Sequence, residues 1–323
     1  MTSNLGRAIG KGLLASGVVV AAVIAAFLLS ACGGGNGSST DTSDKLSGTI
    51  IGDGSSTVFP ITEAVAEEFG KAQSGVKVVA GISGTGGGFK KFCNGETDFN
   101  DASRPIKDEE KQACADKGIE WVEFEVGYDG LSVVVNNDND FAQCLTVDEL
   151  KRIWEPESAV DSWNDVRPEW PDSSIALYGP DTDSGTFDYF TAEIVGEEGS
   201  SRADYTASAD DNVLVQGVEG DKNALGYFGY AYYYENQDKL KIVAVDGGEG
   251  CVAPSVETVR SGEYKPLSRP LFVYVRKDAL ERPEVAAFMR YYLTEGRALV
   301  SEVGYVEAPD SAYEDGLAKM PQQ

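Results

Sequence analysis

The pattern of apolar and polar residues in the first third of the chain predicts alternating strands and helices. Two apolar runs, Leu46–Ile51 and Gly75–Ile82, have the length and β-branched content of buried strands. Each is followed by a run of Gly, Ser and Thr and then by apolar residues at helical spacing, Pro60–Gly70 after the first and Phe89–Cys93 after the second. This order predicts α/β architecture with both polar loops at the carboxyl ends of strands, where such sheets bind ligands.

The rest of the chain continues this alternation and indicates a second domain. Glu120–Val126 and Gly130–Asn136 form an extended apolar pair around Tyr128 and Asp129, which predicts a crossing between domains. Pro266–Val275 is predicted as a buried strand that returns to the first domain. Further helices are predicted at Asp108–Ala115, Thr146–Trp154, Thr186–Val195 and Pro283–Leu293.

Three polar runs lead into predicted helices: Gly52–Phe59 (GDGSSTVF), Ser83–Phe89 (SGTGGGF) and Asp181–Phe187 (DTDSGTF). A helix start carries free backbone N–H groups and the positive end of the helix dipole, so it attracts anions. Ordinary capping explains any one run alone, whereas three in one chain favour a shared oxyanion site. The first two runs are not nucleotide loops, because Thr57 stands where GxGxxG needs Gly and the second run lacks the GK[ST] ending of a P-loop.

Composition removes several classes of function. The 323 residues include no His, which excludes Ser–His–Asp and Cys–His nucleophile systems and His-ligated zinc. The net charge of −26 disfavours nucleic acid as a partner, because a nucleic-acid binder normally presents a basic face. An acidic protein can still bind an anion, because N–H dipoles act at contact while distant charges are screened beyond roughly 8–10 Å. Neither a cofactor nor a metal site is predicted.

One arginine and four aspartates flank the polar runs. The Arg104 guanidinium could fork onto two oxygens of a tetrahedral anion, although a surface ion pair explains this residue equally well. A carboxylate in the cleft would accept a hydrogen bond from a protonated oxyanion and repel a fully ionised one, which separates hydrogenphosphate from sulfate. The candidates are Asp53, Asp101, Asp129 and Asp183, each of which also suits a turn or a helix cap.

The N-terminus reads as an export signal over residues 1–31, with a basic start and an apolar core at Leu13–Leu29. Its ending resembles the bacterial lipobox, which predicts lipidation of Cys32, and residues 32–46 form a flexible polar tether. The expected location is outside the cytoplasm, lipid-anchored at the outer face of the cytoplasmic membrane or in the periplasm. The alternative is an uncleaved transmembrane anchor, since the apolar core is near the lower length limit for spanning.

Four further cysteines, Cys93, Cys114, Cys144 and Cys251, predict two disulfides in an exported protein. Of the three possible pairings, we favour Cys93–Cys114, which closes a local loop, together with Cys144–Cys251, which closes a long one. Four free buried thiols are the alternative. A zinc site is poorly supported because no CxxC pair is present.

Five motifs follow one another within about residues 48–310: GSSTVFP (Gly54–Pro60), SGTGGGFKKF (Ser83–Phe92), DASRPIK (Asp101–Lys107), YDGLSVVVN (Tyr128–Asn136) and DSGTFDYF (Asp183–Phe190). In this order they resemble the phosphate-binding proteins of bacterial ABC phosphate importers, the PstS family. The resemblance implies a periplasmic-binding-protein fold of the type with two hinge crossovers, each lobe a mixed sheet flanked by helices. Lobe I would span residues 47–127 and 266–323, and lobe II residues 128–265.

The resemblance also implies a function and a site. The protein would be a monomeric receptor, not an enzyme, that closes on inorganic phosphate and delivers it to the permease subunits of an importer. The implied phosphate-binding residues are Ser55, Ser56, Thr57, Val58, Ser83, Thr85, Gly86, Ser103, Arg104, Asp129, Ser184, Gly185 and Thr186.

The chain departs from the family pattern at two positions. Pro180 stands where many members have Arg, and Ser103 stands near the family's acceptor Asp, beside Arg104. Arg104 is therefore expected to be the only full positive charge near the anion. The alternatives are a receptor for another oxyanion (sulfate, molybdate or an organophosphate) and an extracellular phosphatase.

Overall fold

The computed structural model describes residues 46–322 and has mixed α/β architecture. Its strands are β1 (Gly48–Gly54), β2 (Val76–Ala80), β3 (Phe99–Ala102), β4 (Trp121–Asn136), β5 (Cys144–Thr146), β6 (Ala176–Pro180), β7 (Thr206–Ser208), β8 (Ala224–Gly229), β9 (Leu240–Asp246), β10 (Cys251–Val252), β11 (Ser268–Arg276) and β12 (Val306–Glu307). Its helices are α1 (Phe59–Ala72), α2 (Gly84–Cys93), α3 (Asp108–Asp116), α4 (Val147–Trp154), α5 (Trp163–Val166), α6 (Gly185–Phe190), α7 (Asp211–Gly220), α8 (Tyr230–Glu235), α9 (Val256–Arg260), α10 (Lys277–Leu280), α11 (Pro283–Leu293), α12 (Ala298–Glu302) and α13 (Asp310–Ala318). A π-helical turn, Thr191–Val195, extends α6, and a 3₁₀ turn, Glu295–Arg297, precedes α12.

Eight of the twelve strands form one continuous path in the order β2-β1-β3-β11-β4-β8-β6-β7, and β5, β9, β10 and β12 pair off this path. β1 pairs in parallel with β2 and β3, and β11 joins β3 to the first half of β4 in antiparallel pairing. The second half of β4 pairs with β8 and β9. The chain therefore passes from one half of the sheet to the other along β4.

β4 is one strand of 16 residues where the sequence predicted two. The predicted interruption at Tyr128 and Asp129 stays extended because β11 pairs with it, Pro270 opposite Tyr128 and Arg269 opposite Asp129. Pairing with a neighbouring strand gives the backbone N–H and C=O groups of this segment hydrogen-bond partners that they would lack in a turn. The predicted lobe boundaries at 127/128 and 265/266 stay a prediction.

Two large apolar cores lie beneath the two halves of the sheet. One packs α1 and α11 against β1 and β11, with Phe69 and Phe288 rings 5.5 Å apart. The other encloses Trp154, Trp163 and Tyr227, all at most 1% exposed. Both tryptophans are therefore core residues.

Helix α2 begins at Gly84, five residues before the predicted start at Phe89. The second Gly/Ser/Thr run is thus the first turns of the helix and not a loop before it. The reason is close packing: a Cβ on Gly88 would lie 2.6 Å from the Gly54 Cα and 1.9 Å from Asn100 Oδ1. Only glycine lets α2 approach β1 and β3 this closely, and this packing overrides its low helix propensity.

Both favoured disulfides are confirmed. Cys93–Cys114 links α2 to α3, and Cys144–Cys251 links β5 to β10 across a sequence separation of 107 residues. None of the helices between residues 46 and 322 combines the length and the apolar content that crossing a membrane requires. The predicted signal and Cys32 lie outside the described residues.

We expect one buried carboxyl to make the fold less stable as pH rises. Asp101 at the end of β3 is 1% exposed and accepts a hydrogen bond from Thr62 Oγ1 at 3.0 Å, but no cation pairs with it among the described residues. Burial, together with the charge of Asp53, raises the pKa of Asp101 from an ordinary 3.8 to about 8. The folded state therefore binds more protons than the unfolded state between these values, so stability falls as pH rises from about 4 towards 8.

Asp101→Asn replaces the titrating carboxyl by an amide that binds no proton in this pH range. The wild type releases one proton from Asp101 when it unfolds in this range, and the variant does not. The free energy of unfolding of the variant minus that of the wild type should therefore rise by about 1.4 kcal/mol per pH unit between pH 5 and 8. Urea unfolding at several pH values measures this difference. Parallel stability curves for the two proteins would show that Asp101 is ionised in the fold.

Candidate functional site

The three polar runs converge on one cavity of about 710 Å³. It is lined by nine of the residues predicted for the site: Ser55, Ser56, Thr57, Ser83, Thr85, Gly86, Ser103, Arg104 and Gly185. Of the other four, Val58 is fully buried, Ser184 and Thr186 flank Gly185 in the chain, and Asp129 lies behind the wall as an ion-pair partner. The prediction that the runs come together is confirmed. The role of each residue in binding stays a prediction.

The first run is held between β1 and α1. Gly54 has φ of +140°, and a Cβ on it would lie 2.2 Å from the Asp101 carbonyl oxygen, so this position needs glycine. The Ser55 amide donates to that carbonyl at 3.0 Å, and the Thr57 amide donates to Ser55 Oγ at 3.2 Å. These bonds set Ser56 and Thr57 at the cavity wall.

The second run lies beside the first. The Ser83 amide donates to the Gly54 carbonyl at 3.1 Å, and Ser83 Oγ donates to the Asp53 carboxylate. Thr85 Oγ1 lies 3.2 Å from Ser103 Oγ and accepts from the Ser103 amide at 3.1 Å. The Thr85 and Ser103 hydroxyls therefore lie side by side at the cavity, while Asp53 engages the Ser83 hydroxyl.

The third run faces the first across the cavity. Ser184 caps α6, its Oγ accepting from the Thr186 amide at 3.2 Å. A Cβ on Gly185 would lie 2.8 Å from Thr57 Oγ1 and 3.2 Å from the Thr57 nitrogen. Glycine at this position lets the two helix starts nearly touch.

Arg269 on β11 is a cavity residue that the sequence analysis missed. Its Nη2 donates to Thr57 Oγ1 at 2.8 Å, and its Nε and Nη2 donate to Asp129 Oδ2 at 3.2 and 3.1 Å. The guanidinium carbon stacks 3.6 Å from the centre of the Tyr189 ring. Asp129 and Tyr189 thus hold the guanidinium from two sides while part of it faces the cavity.

Tyr189 is itself fixed in place. Burial raises the pKa of its phenol well above the ordinary value, so the group stays neutral, and its hydroxyl donates to the Pro266 carbonyl at 2.7 Å. The ring therefore joins α6 to the segment that enters β11. The signal for Arg269 was present in the sequence, since a charged residue inside a predicted buried strand is rare unless it is paired.

Arg104 lines the cavity but is engaged elsewhere. Its Nη2 and Nη1 donate to Glu110 Oε1 and Oε2 at 2.8 and 2.9 Å, a bidentate pair. Although burial opposes it, these bonds and one from the Lys107 amide lower the pKa of Glu110. The expectation that Arg104 is the only full positive charge near the anion is wrong, because Arg269, Lys107 and Lys265 also line the cavity.

None of the four aspartates proposed as acceptors lines the cavity. Asp53 pairs with Lys91 Nζ at 2.6 Å, Asp101 accepts from Thr62, and Asp129 pairs with Arg269. Asp183 is exposed in the loop before α6. The carboxylates that do line the cavity are Asp188, Glu193 and Glu198.

The comparisons with known proteins agree on one family. A family model described as the PBP superfamily domain matches residues 39–295. Protein SphX of Synechocystis sp. is 50% identical over 283 residues, covering 87% of this chain and 84% of SphX. The phosphate-binding protein PstS of Staphylococcus saprophyticus is 43% identical over 295 residues, covering 91% of this chain and 90% of PstS.

Solved structures agree with these sequence matches. A possible phosphate-binding protein from Planctomyces limnophilus is 54% identical, with a TM-score of 0.81 over 84% of this chain and 98% of that one. An ABC-type phosphate transport receptor from Vibrio cholerae, 21% identical, shows the same fold with a TM-score of 0.60 over 80% of this chain and 100% of that one. The predicted fold class is confirmed. The chain belongs to the PBP superfamily and, within it, to the family of PstS phosphate-binding proteins.

Proposed function

We propose that this protein binds inorganic phosphate in the cavity between the three polar runs and delivers it to an ABC importer. The observation that carries this proposal is the meeting of helix starts, hydroxyls and the Arg269 guanidinium at one wall. Relatives at more than 40% identity that are named phosphate-binding proteins support the choice of anion.

The wall supplies both donors and charge. Ser56 and Thr57 present hydroxyls from the first run, Thr85 presents one from the second, and Ser103 presents one from the segment after β3. Arg269 offers its positive charge and the two N–H groups of Nη1, since its Nε and Nη2 hydrogens are engaged by Asp129 and Thr57. Because Asp129 and Tyr189 already hold this guanidinium, little side-chain entropy is lost when the anion arrives.

Binding and release need no bond to be broken in the ligand. The anion contacts the first run from one side and the third run from the other. It therefore stabilises the closed conformation, in which both runs reach it, over an open one. The serines at the wall have no imidazole to activate them, since the chain contains no His. We therefore favour a receptor over an extracellular phosphatase.

Calorimetry with phosphate, sulfate and molybdate tests this function. The proposal predicts one saturable site for phosphate and much weaker binding of the other two anions. Saturation by sulfate or molybdate with phosphate inactive would favour another oxyanion receptor. Steady turnover of a chromogenic phosphate ester, lost in Ser56→Ala, would favour the phosphatase.

The export and anchoring of the protein are part of the proposal. We expect the lipobox-like ending to direct lipidation at Cys32, so that Cys32→Ala shifts the protein from the membrane to the soluble fraction of its native host. Fractionation followed by immunoblotting measures this shift, with Ser38→Ala in the predicted tether as the control. Continued membrane retention of Cys32→Ala would indicate an uncleaved anchor.

A further inference from the structure

We infer that Tyr232 on α8 limits how far the two halves connected by β4 can open, and so sets the affinity for phosphate from outside the cavity. The inference rests on the proposed function, in which the anion stabilises a closed conformation. It follows from a contact between Tyr232 and the turn that joins α12 to β12, Val303–Tyr305.

This contact joins the two halves of the structure. The turn belongs to the half that contains α1 and α11, because Val303 and Tyr305 pack against the core of that half. Tyr232 belongs to the other half, because its ring packs against the core around Leu214 and Phe228, beside the second part of β4. Hinge motion moves packed bodies about a few connecting residues, so a contact between the bodies restricts the motion.

The contact is close because two glycines face the Tyr232 ring. A Cβ on Gly304, which has φ of +93°, would lie 3.4 Å from Tyr232 Cε2. A Cβ on Gly229, at the end of β8, would lie 3.6 Å from Tyr232 Cδ2 and 3.7 Å from the Gly304 carbonyl oxygen. Carbon atoms in contact are about 3.5–4.0 Å apart. The space between the ring and each backbone therefore holds at most a methyl group.

The turn is fixed by its own hydrogen bonds, so it cannot yield to the ring. The Gly304 amide donates to the Ser301 carbonyl at 3.1 Å, and the Tyr305 amide donates to the Val300 carbonyl at 3.0 Å. β12, which follows the turn, pairs with β4. Movement of Tyr232 towards the turn is therefore stopped within a short distance.

The contact and the cavity lie on opposite sides of the connection between the halves. At the same two residues of β4, β11 takes one edge of the strand and β12 takes the other. The cavity is lined by Ser268, Arg269 and Pro270 on the β11 side. A rotation about this connection that separates Thr57 from Gly185 therefore brings the turn closer to Tyr232.

Opening of the cavity is thus limited by a residue on the far side of β4. The helix starts can separate until the Tyr232 ring meets the Gly304 backbone, and wider opening requires the ring to leave its place in the core. The closed conformation is then more populated in the absence of the anion. Because the apparent affinity falls with the fraction of molecules that are competent to bind, the ring raises the affinity for phosphate.

The test compares Tyr232→Ala with the matched control Tyr233→Ala, which removes a half-buried ring of the same helix that packs beside Tyr230. Calorimetry measures phosphate affinity, and small-angle X-ray scattering measures the radius of gyration. We expect Tyr232→Ala to weaken phosphate binding about fivefold, because fewer molecules are closed. Its radius of gyration should exceed that of wild type without phosphate and equal it at saturation. Tyr233→Ala and Tyr232→Phe should match wild type in both measurements.

Two results would overturn the inference. One is wild-type affinity in Tyr232→Ala. The other is weaker binding with an unchanged radius of gyration in the phosphate-free state, since the ring would then act through the stability of its own half. Tyr232→Leu, checked by thermal melting, should show the same changes if Tyr232→Ala folds poorly. A wild type that binds no phosphate would contradict the proposed function, whereas scattering from the phosphate-free variants would still test the role of Tyr232.

Discussion

Replacing Arg269 by alanine is expected to lower the affinity for phosphate by about 100-fold. The guanidinium is the charged donor whose Nη2 already reaches a cavity hydroxyl, Thr57 Oγ1, at 2.8 Å. Truncating one partner of a buried, hydrogen-bonded charge pair costs about 2–5 kcal/mol, and each 1.4 kcal/mol is tenfold in affinity. Calorimetric titration with phosphate measures the loss.

Controls separate lost binding from lost folding. Arg269→Ala leaves the Asp129 carboxylate buried without its cation, which is destabilising in itself. The double variant Arg269→Gln/Asp129→Asn removes both charges and should fold better while still binding phosphate weakly. Arg104→Ala is the matched arginine, and its effect should be smaller because Glu110 occupies that guanidinium. Wild-type affinity in the double variant would refute the role of Arg269.

Removing the Cys144–Cys251 disulfide is expected to lower the free energy of unfolding by about 5 kcal/mol. A crosslink stabilises mainly by restricting the unfolded chain, and the restriction grows with the length of the closed loop. This loop spans 107 residues. Urea unfolding of Cys144→Ala/Cys251→Ala against wild type measures the change.

The second disulfide provides a control of the same chemistry. Cys93–Cys114 closes a loop of only 21 residues, for which the same relation gives about 3 kcal/mol. Which disulfide removal lowers the free energy of unfolding more tests the dependence on loop length better than either value alone. A larger loss for Cys93→Ala/Cys114→Ala would show that local packing around α2 and α3, and not loop length, decides the stability.

Much of the fold could be predicted because local patterns and tertiary structure agree. Pro283–Leu293 is a helix with the bounds that its apolar spacing predicted. Thr146 and Glu149 form a capping box at the start of α4, where the sequence predicted a helix to begin. Where prediction failed, a long-range partner decided the outcome. Pairing with β11 keeps β4 extended through Asp129, and no local pattern in β4 contains that information.

In the candidate site, too, local sequence patterns predicted some residues and long-range contacts decided others. The hydroxyls of the three runs were predictable because they precede helices in the sequence. Arg269 stood out in the sequence as a charge inside a predicted buried strand, but its contact with Thr57 could not be predicted, since it lies more than 200 residues after Thr57 and only the tertiary fold brings the two together. Asp188 was missed for a related reason. Only the approach of Gly185 to Thr57 places the first turn of α6 at the cavity.

A crystal structure of the protein with arsenate tests the central claim most directly, because arsenate is a tetrahedral, protonated oxyanion whose position anomalous scattering reveals. The account predicts one strong anomalous peak in the cavity, within hydrogen-bond distance of Thr57 Oγ1 and the Arg269 guanidinium. An empty cavity at saturating arsenate, or a single strong peak elsewhere on the protein, would contradict it.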